Sequence, residues 1–148
     1  MNQTLEPATA AEMISRLHKI TPDTPAQWGR MNAAQMMAHC QVPFHVYFGT
    51  VKLKQGLIGK LFGRMAKKKL LGDKPWSKNL PTAKEFVVAG QRELEAEKEK
   101  LIQLINRFAT GSKNSANPVH PFFGKLSPAE WSTLAYRHLD HHLQQFSA

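Results

Sequence analysis

Cysteine is nearly absent from this chain: Cys40 is the only one in 148 residues. A single thiol excludes an internal disulfide framework and fits a reducing compartment. Long apolar runs are missing as well. No stretch reaches the roughly 18 residues that a bilayer-crossing helix requires. The opening MNQTLEPATAAEM has no basic start followed by an apolar stretch, so we expect no secretory signal and a cytoplasmic location. No internal repeat of the solenoid or propeller kind occurs, and no strand-like alternation of useful length. Acids are scarce, 11 against 20 Lys and Arg, which leaves a net charge of +9.

What is present suits one domain over residues 1–148. With 42% hydrophobic residues the chain can bury one sizeable core and is too short for two ordinary domains. The positive charge is local. Residues 51–80 carry Lys52, Lys54, Lys60, Arg64, Lys67, Lys68, Lys69, Lys74 and Lys78 against Asp73 alone, and the rest of the chain is nearly neutral.

Helix starts are marked by capping boxes, in which a Ser, Thr or Asn side chain accepts from an orphan N–H and a Glu or Gln three residues on reaches back. Four such pairs occur, Thr9/Glu12, Asn32/Gln35, Thr82/Glu85 and Ser127/Glu130, the last with Pro128 at the first helical position. They predict four main helices. The first covers about 10–20, with Met13, Ile14, Leu17 and Ile20 on one face; the second starts near Ala33 and contains Pro43. The third covers about 83–109, with Phe86, Val87, Leu94, Leu101, Leu104, Ile105 and Phe108 along one side and Gly111 as its stop. The fourth covers about 128–146. The long basic link between the second and third can cross a bundle, so those two helices are expected to run parallel. Within the link, Leu57, Ile58, Leu61, Phe62 and Met65 suggest one short amphipathic helix, which Gly56, Gly59 and Gly63 weaken. The fold class is all-α.

The last helix carries the chemistry. At about 100° per residue, Trp131, Leu134, Ala135, Leu139 and Phe146 share an apolar sector, with Arg137, Asp140 and Gln144 opposite. His138 and His142 fall near the middle of that sector, one turn apart, a spacing that lets both rings approach one ion. His141 flanks it. His39, in the second helix, is the best third ligand, although it falls at the border of its stripe unless a bend at Pro43 turns it inward. Three neutral imidazoles leave a coordination position for water or substrate. The competing interpretation is that these rings only pack and hydrogen-bond. His120, between prolines, either lines a pocket mouth or braces its loop. Cys40 reads as a buried thiol, and His45, six residues beyond His39, points elsewhere.

The runs TPAQWGRMNAAQMMAHC, HPFFGKLSPAEW and HLDHHLQQF together resemble the DinB/YfiT-like superfamily of metal-dependent enzymes, in a bacterial branch classed as a domain of unknown function. The most specific part is H-x-x-H-H-x-x-Q, formed by His138, His141, His142 and Gln145. The resemblance implies a four-helix bundle in up-down-down-up order, with a metal, typically zinc or nickel, on His39, His138 and His142. Relatives that use a low-molecular-weight thiol make such a thiol a candidate second cofactor.

The function expected is therefore that of a metal-dependent enzyme, activating a thiol or water for transfer to, or hydrolysis of, a small molecule. The alternative is a non-catalytic bundle whose basic 51–80 segment binds an anionic partner surface. That segment has no nucleic-acid motif, and Trp76 alone makes no stacking platform. Nucleic acid and membrane are thus not the expected partners, and the segment's apolar residues are expected to pack on the bundle. Pairing of exposed helix faces would give a homodimer.

Overall fold

The computed structural model describes residues 3–51, 53, 55–82, 84–111 and 119–148, with the Glu85 side chain left out. Five α-helices account for most of it: α1 Pro7–His18, α2 Ala33–Phe48, α3 Leu57–Leu71, α4 Leu94–Thr110 and α5 Pro128–Gln145. A 3-10 turn spans Lys84–Phe86, and two two-residue strands, β1 Val119–His120 and β2 Gly124–Lys125, pair antiparallel. The all-α expectation holds, apart from this small hairpin.

Two helix starts follow the capping boxes. Asn32 Oδ1 accepts from Gln35 N–H at 2.8 Å and Gln35 Oε1 accepts from Asn32 N–H at 3.0 Å, which opens α2 at Ala33. Ser127 and Glu130 exchange the same pair of bonds around Pro128 to open α5. The other two starts differ. α1 begins at Pro7 with Glu6 as its cap, and Thr9 sits inside the helix, its hydroxyl accepting from Glu6 N–H at 2.9 Å. Pro7 takes the first helical position, where its missing N–H costs nothing. The expected Thr82/Glu85 box opens no helix; Ala83 and the Glu85 side chain lie outside the described residues, and α4 starts only at Leu94. Gly90 lies in the non-helical stretch between the 3-10 turn and α4. It adopts φ +82°, a left-handed conformation that ends helical continuity and that side-chain-bearing residues rarely take.

Both α1 and α2 pack against α4 and α5. Met13, Leu17, Met36, Met37, Phe44, Leu101, Ile105, Phe108, Leu139 and Leu143 are almost fully inaccessible between them. Polar ties cross the same contacts. Buried Gln41 of α2 donates to Glu97 of α4 at 2.6 Å, and Arg16 of α1 pairs with Asp140 of α5 at 2.7 Å. Arg137, expected on the solvated side of α5, is buried, because its guanidinium donates to Gln3 Oε1 and to the Lys74 carbonyl of the link.

The link departs most from expectation. α3 is fifteen residues long, and its glycines are its contact surface. Gly59 and Gly63 are buried against the Pro121–Phe122 backbone; a Cβ on Gly59 would stand 2.7 Å from the Phe122 carbonyl oxygen, and one on Gly63 would meet the same atom. Only glycine permits that approach. Leu57, Ile58, Leu61, Phe62 and Met65 of α3 face outward and do not pack on the bundle. Leu71, the last residue of α3, and Trp76 beyond it return to the core, and Trp76 Nε1 donates to the Leu70 carbonyl at 2.9 Å.

Candidate metal centre

His39 reaches the interior from α2, while His138 and His142 come from successive turns of α5. His39 needs no bend to point inward. Eleven of the sixteen residues of α2 are buried, around most of its circumference, so the border of an apolar stripe is still interior. One ligand atom from each of His39, His138 and His142 lies within 4.8 Å of the other two. The Nε2 atoms of His39 and His138 are 3.0 Å apart, and the three ring centroids are separated by 4.7–4.9 Å.

Hydrogen bonds on the outer nitrogens orient two of the rings. His39 Nδ1 lies 2.8 Å from the Phe86 carbonyl, which can only accept, so Nδ1 carries the proton and Nε2 the inward lone pair. His142 Nδ1 lies 2.7 Å from Gln145 Oε1. The orientation of that amide is set from behind, because Gln145 Nε2 donates to the Trp28 carbonyl at 2.8 Å. Oε1 therefore accepts from His142 Nδ1–H, and His142 Nε2 is bare as well. Metal-binding histidines are ordinarily held in this way, the distal N–H donating to an oxygen that fixes tautomer and ring plane. Gly29 makes the amide contact practicable: at φ +81° it has no Cβ, and one placed there would stand 2.7 Å from Gln145 Nε2.

Burial is the first cause of the protonation behaviour. It holds His39 below the ordinary imidazole range and brings His142 down to about 3, where repulsion from His39 adds to it. His138 is lowered well below that range, first by desolvation and then by repulsion from His142, His39, His141 and His120. All three rings are thus neutral at pH 7, the form that binds metal.

The surrounding residues sort by geometry. His141 is not a member of the triad; it lies between Trp28 and Trp76, at ring distances of 5.5 and 5.6 Å. Asp140 points away, toward Arg16. His120 braces its loop: Nδ1 accepts from Phe122 N–H at 3.1 Å and Phe123 N–H at 3.2 Å, and the ring stacks on Phe123 at 4.5 Å. Burial brings its pKa down to about 4. Cys40 is buried with its thiol 3.7 Å from Met36 Sδ, and desolvation raises its pKa, which disfavours the thiolate a nucleophile needs. Three contributors were not assigned a role from sequence: Gln145, the Phe86 carbonyl and Trp76, whose ring lies 6.1 Å from that of His138. The i, i+3 spacing of His142 and Gln145 was the available signal for the first. A backbone carbonyl leaves no such trace.

Comparison with curated proteins gives no match, and comparison with solved structures gives none either. A family model does match, described as "Protein of unknown function (DUF1569)", over residues 2–148. By that match, which takes in the helices and the three histidines alike, the chain belongs to the DUF1569 family.

Proposed function

We propose that this protein is a metal-dependent enzyme of the DinB-like four-helix-bundle type, with a divalent ion on His39, His138 and His142. α1, α2, α4 and α5 would be the bundle, in up-down-down-up order, with the 49–93 link as its crossover. The observation that carries the proposal is the convergence of three imidazoles, two of which, His39 and His142, have their outer nitrogens already engaged.

The donor set fits the ion. Zinc–nitrogen bonds of about 2.0–2.1 Å place tetrahedral ligand atoms about 3.3 Å apart. The triad spans 3.0 Å for one pair and at most 4.8 Å for any, so small ring rotations suffice. An all-imidazole set suits zinc or nickel and not the hard cations that prefer oxygen. When bound, the ion would act as a Lewis acid, lowering the pKa of a low-molecular-weight thiol or of water at the position three ligands leave open.

The chain's own residues supply orientation and access. Phe86 and Gln145 hold the tautomers of His39 and His142. His138 keeps some exposed surface, beside Trp76 and His141, and offers the side from which a small molecule could approach. The activity proposed is transfer to, or hydrolysis of, such a molecule, in the cytoplasm.

Metal analysis of untagged protein purified without chelator tests this directly. About one zinc or nickel per chain is expected, lost in His138→Ala and His142→Ala and kept in His141→Ala, with all three variants still helical. Equal loss from His141→Ala, or no metal in any preparation reconstituted with zinc or nickel, would refute the assignment.

A further inference from the structure

Five of the seven large apolar side chains exposed among the described residues belong to one helix. Leu57, Ile58, Leu61, Phe62 and Met65 of α3 are 51–73% accessible. At about 100° per residue they cover one continuous sector, and Gly59, Gly63, Ala66 and Leu70 lie on the side turned toward the protein. The rotation of the helix is not incidental. Gly59 and Gly63 touch the Phe122 backbone so closely that no larger residue fits there, so the apolar sector is held outward.

Basic side chains border that sector. Lys60 and Arg64 are exposed along one edge of it and Lys68 and Lys69 close its C-terminal end, while Lys67, on the inner flank, is paired with Glu130 at 2.9 Å. The 51–80 segment as a whole has nine cations and one acid. We infer that α3 is a membrane-surface element that lays Leu57, Ile58, Leu61, Phe62 and Met65 into the interface of an anionic phospholipid bilayer, its flanking lysines and arginine on the headgroups. Apolar insertion and headgroup attraction both contribute to the binding of such helices. No helix among the described residues is long and apolar enough to cross a membrane, so the association is peripheral.

Charge separates this occupant from the others. A second copy of the chain would bring two sets of Lys60, Arg64, Lys68 and Lys69 together, which repel. A nucleic acid would meet an apolar strip where it needs hydrogen-bond donors, with Phe62 as the only aromatic side chain on the helix. An anionic lipid surface satisfies both halves of the face. The inference does not depend on the histidine site.

Co-sedimentation of the full chain with phosphatidylcholine vesicles, with and without phosphatidylglycerol, tests it. Binding should be at least about 10-fold tighter to the anionic vesicles and should weaken as salt is raised. The variant Leu57→Gln/Leu61→Gln/Phe62→Gln keeps every charge and alters only exposed positions. It should lose at least about 10-fold in affinity while its helicity is unchanged. Absent binding, equal binding to both vesicle types, or full affinity in the glutamine variant would overturn the inference. So would sedimentation velocity showing a dimer that the glutamine variant dissolves, or retention of duplex DNA, where vesicles are not bound.

Discussion

Gln145 offers the sharpest separation of a metal site from a packed histidine cluster. Its side chain makes two hydrogen bonds, a buried one from His142 Nδ1–H to Oε1 at 2.7 Å and a part-buried one from Nε2 to the Trp28 carbonyl at 2.8 Å. Gln145→Leu removes both at nearly constant volume. A buried hydrogen bond is worth about 1 kcal/mol net, and partners left unsatisfied cost more, so the fold should lose roughly 2–4 kcal/mol. The effect on metal is separate. With nothing on its distal nitrogen, His142 is free to turn and to take the wrong tautomer, and loss of such an outer partner typically costs 10–100-fold in affinity, about 1.4–2.7 kcal/mol.

Gln145→Glu divides the two roles. A carboxylate still accepts from His142 Nδ1–H and makes the ring a more basic ligand, but it cannot donate to Trp28. Stability should therefore fall, while zinc affinity stays at or above that of the unmodified chain. Gln144→Leu is the control, since Gln144 is exposed and its amide reaches only Asp140. Competition titration against a zinc chelator, on samples confirmed as helical, measures all three. If Gln145→Leu binds as tightly as the unmodified protein, or if Leu and Glu weaken binding alike, His142 is not an oriented ligand.

Two further outcomes follow from the same geometry. His142 and His120 have folded pKa values of about 3 and about 4, against about 6.5 in an unfolded chain, so below pH 6.5 the unfolded state takes up protons that the fold does not. Metal-free protein should lose about 1.4 kcal/mol per pH unit for each of them as pH falls from 6.5 toward 4, seen as falling urea midpoints; a flat profile would show that these rings are not buried. Gly63→Ala should lower the hydrogen-exchange protection of α3 although alanine is the better helix former by about 1 kcal/mol, because its Cβ would collide with the Phe122 carbonyl; unchanged or higher protection would show that α3 is not seated there.

Much of this fold was legible because its signals are local. Asn32/Gln35 and Ser127/Glu130 opened helices where expected, and the apolar period of α5 placed His138 and His142 inside. Two kinds of signal misled. At the N-terminus Thr9/Glu12 satisfied the capping pattern, but Pro7 two residues earlier was the stronger mark of the first turn. In the link, apolar residues at helical spacing identified a helix but not which side it would bury. Reading Gly59 and Gly63 as weak points hid their use as the seat of α3, which only the Pro121–Phe123 turn, some sixty residues on, reveals.

The misread start of α4 bears on the site itself. Had that helix begun near residue 83, the Phe86 carbonyl would accept from the Gly90 N–H, as the i to i+4 ladder requires. Instead residues 87–93 are non-helical, the helix waits until Leu94, and the Phe86 carbonyl receives His39 Nδ1–H. The break is anchored to the same helix that carries the histidine: Gln35, one turn before His39 on α2, donates to the Gly90 carbonyl at 2.9 Å. A stretch with helical periodicity is thus a loop whose backbone orients a ring of the triad. Local helical preference and site geometry conflict here, and the geometry wins. Such conflicts are expected to collect at functional sites, where a chain gives up regular structure to position a group. Simple packing of His39 would need no such concession, since a buried imidazole can take a helical neighbour or a water as its partner.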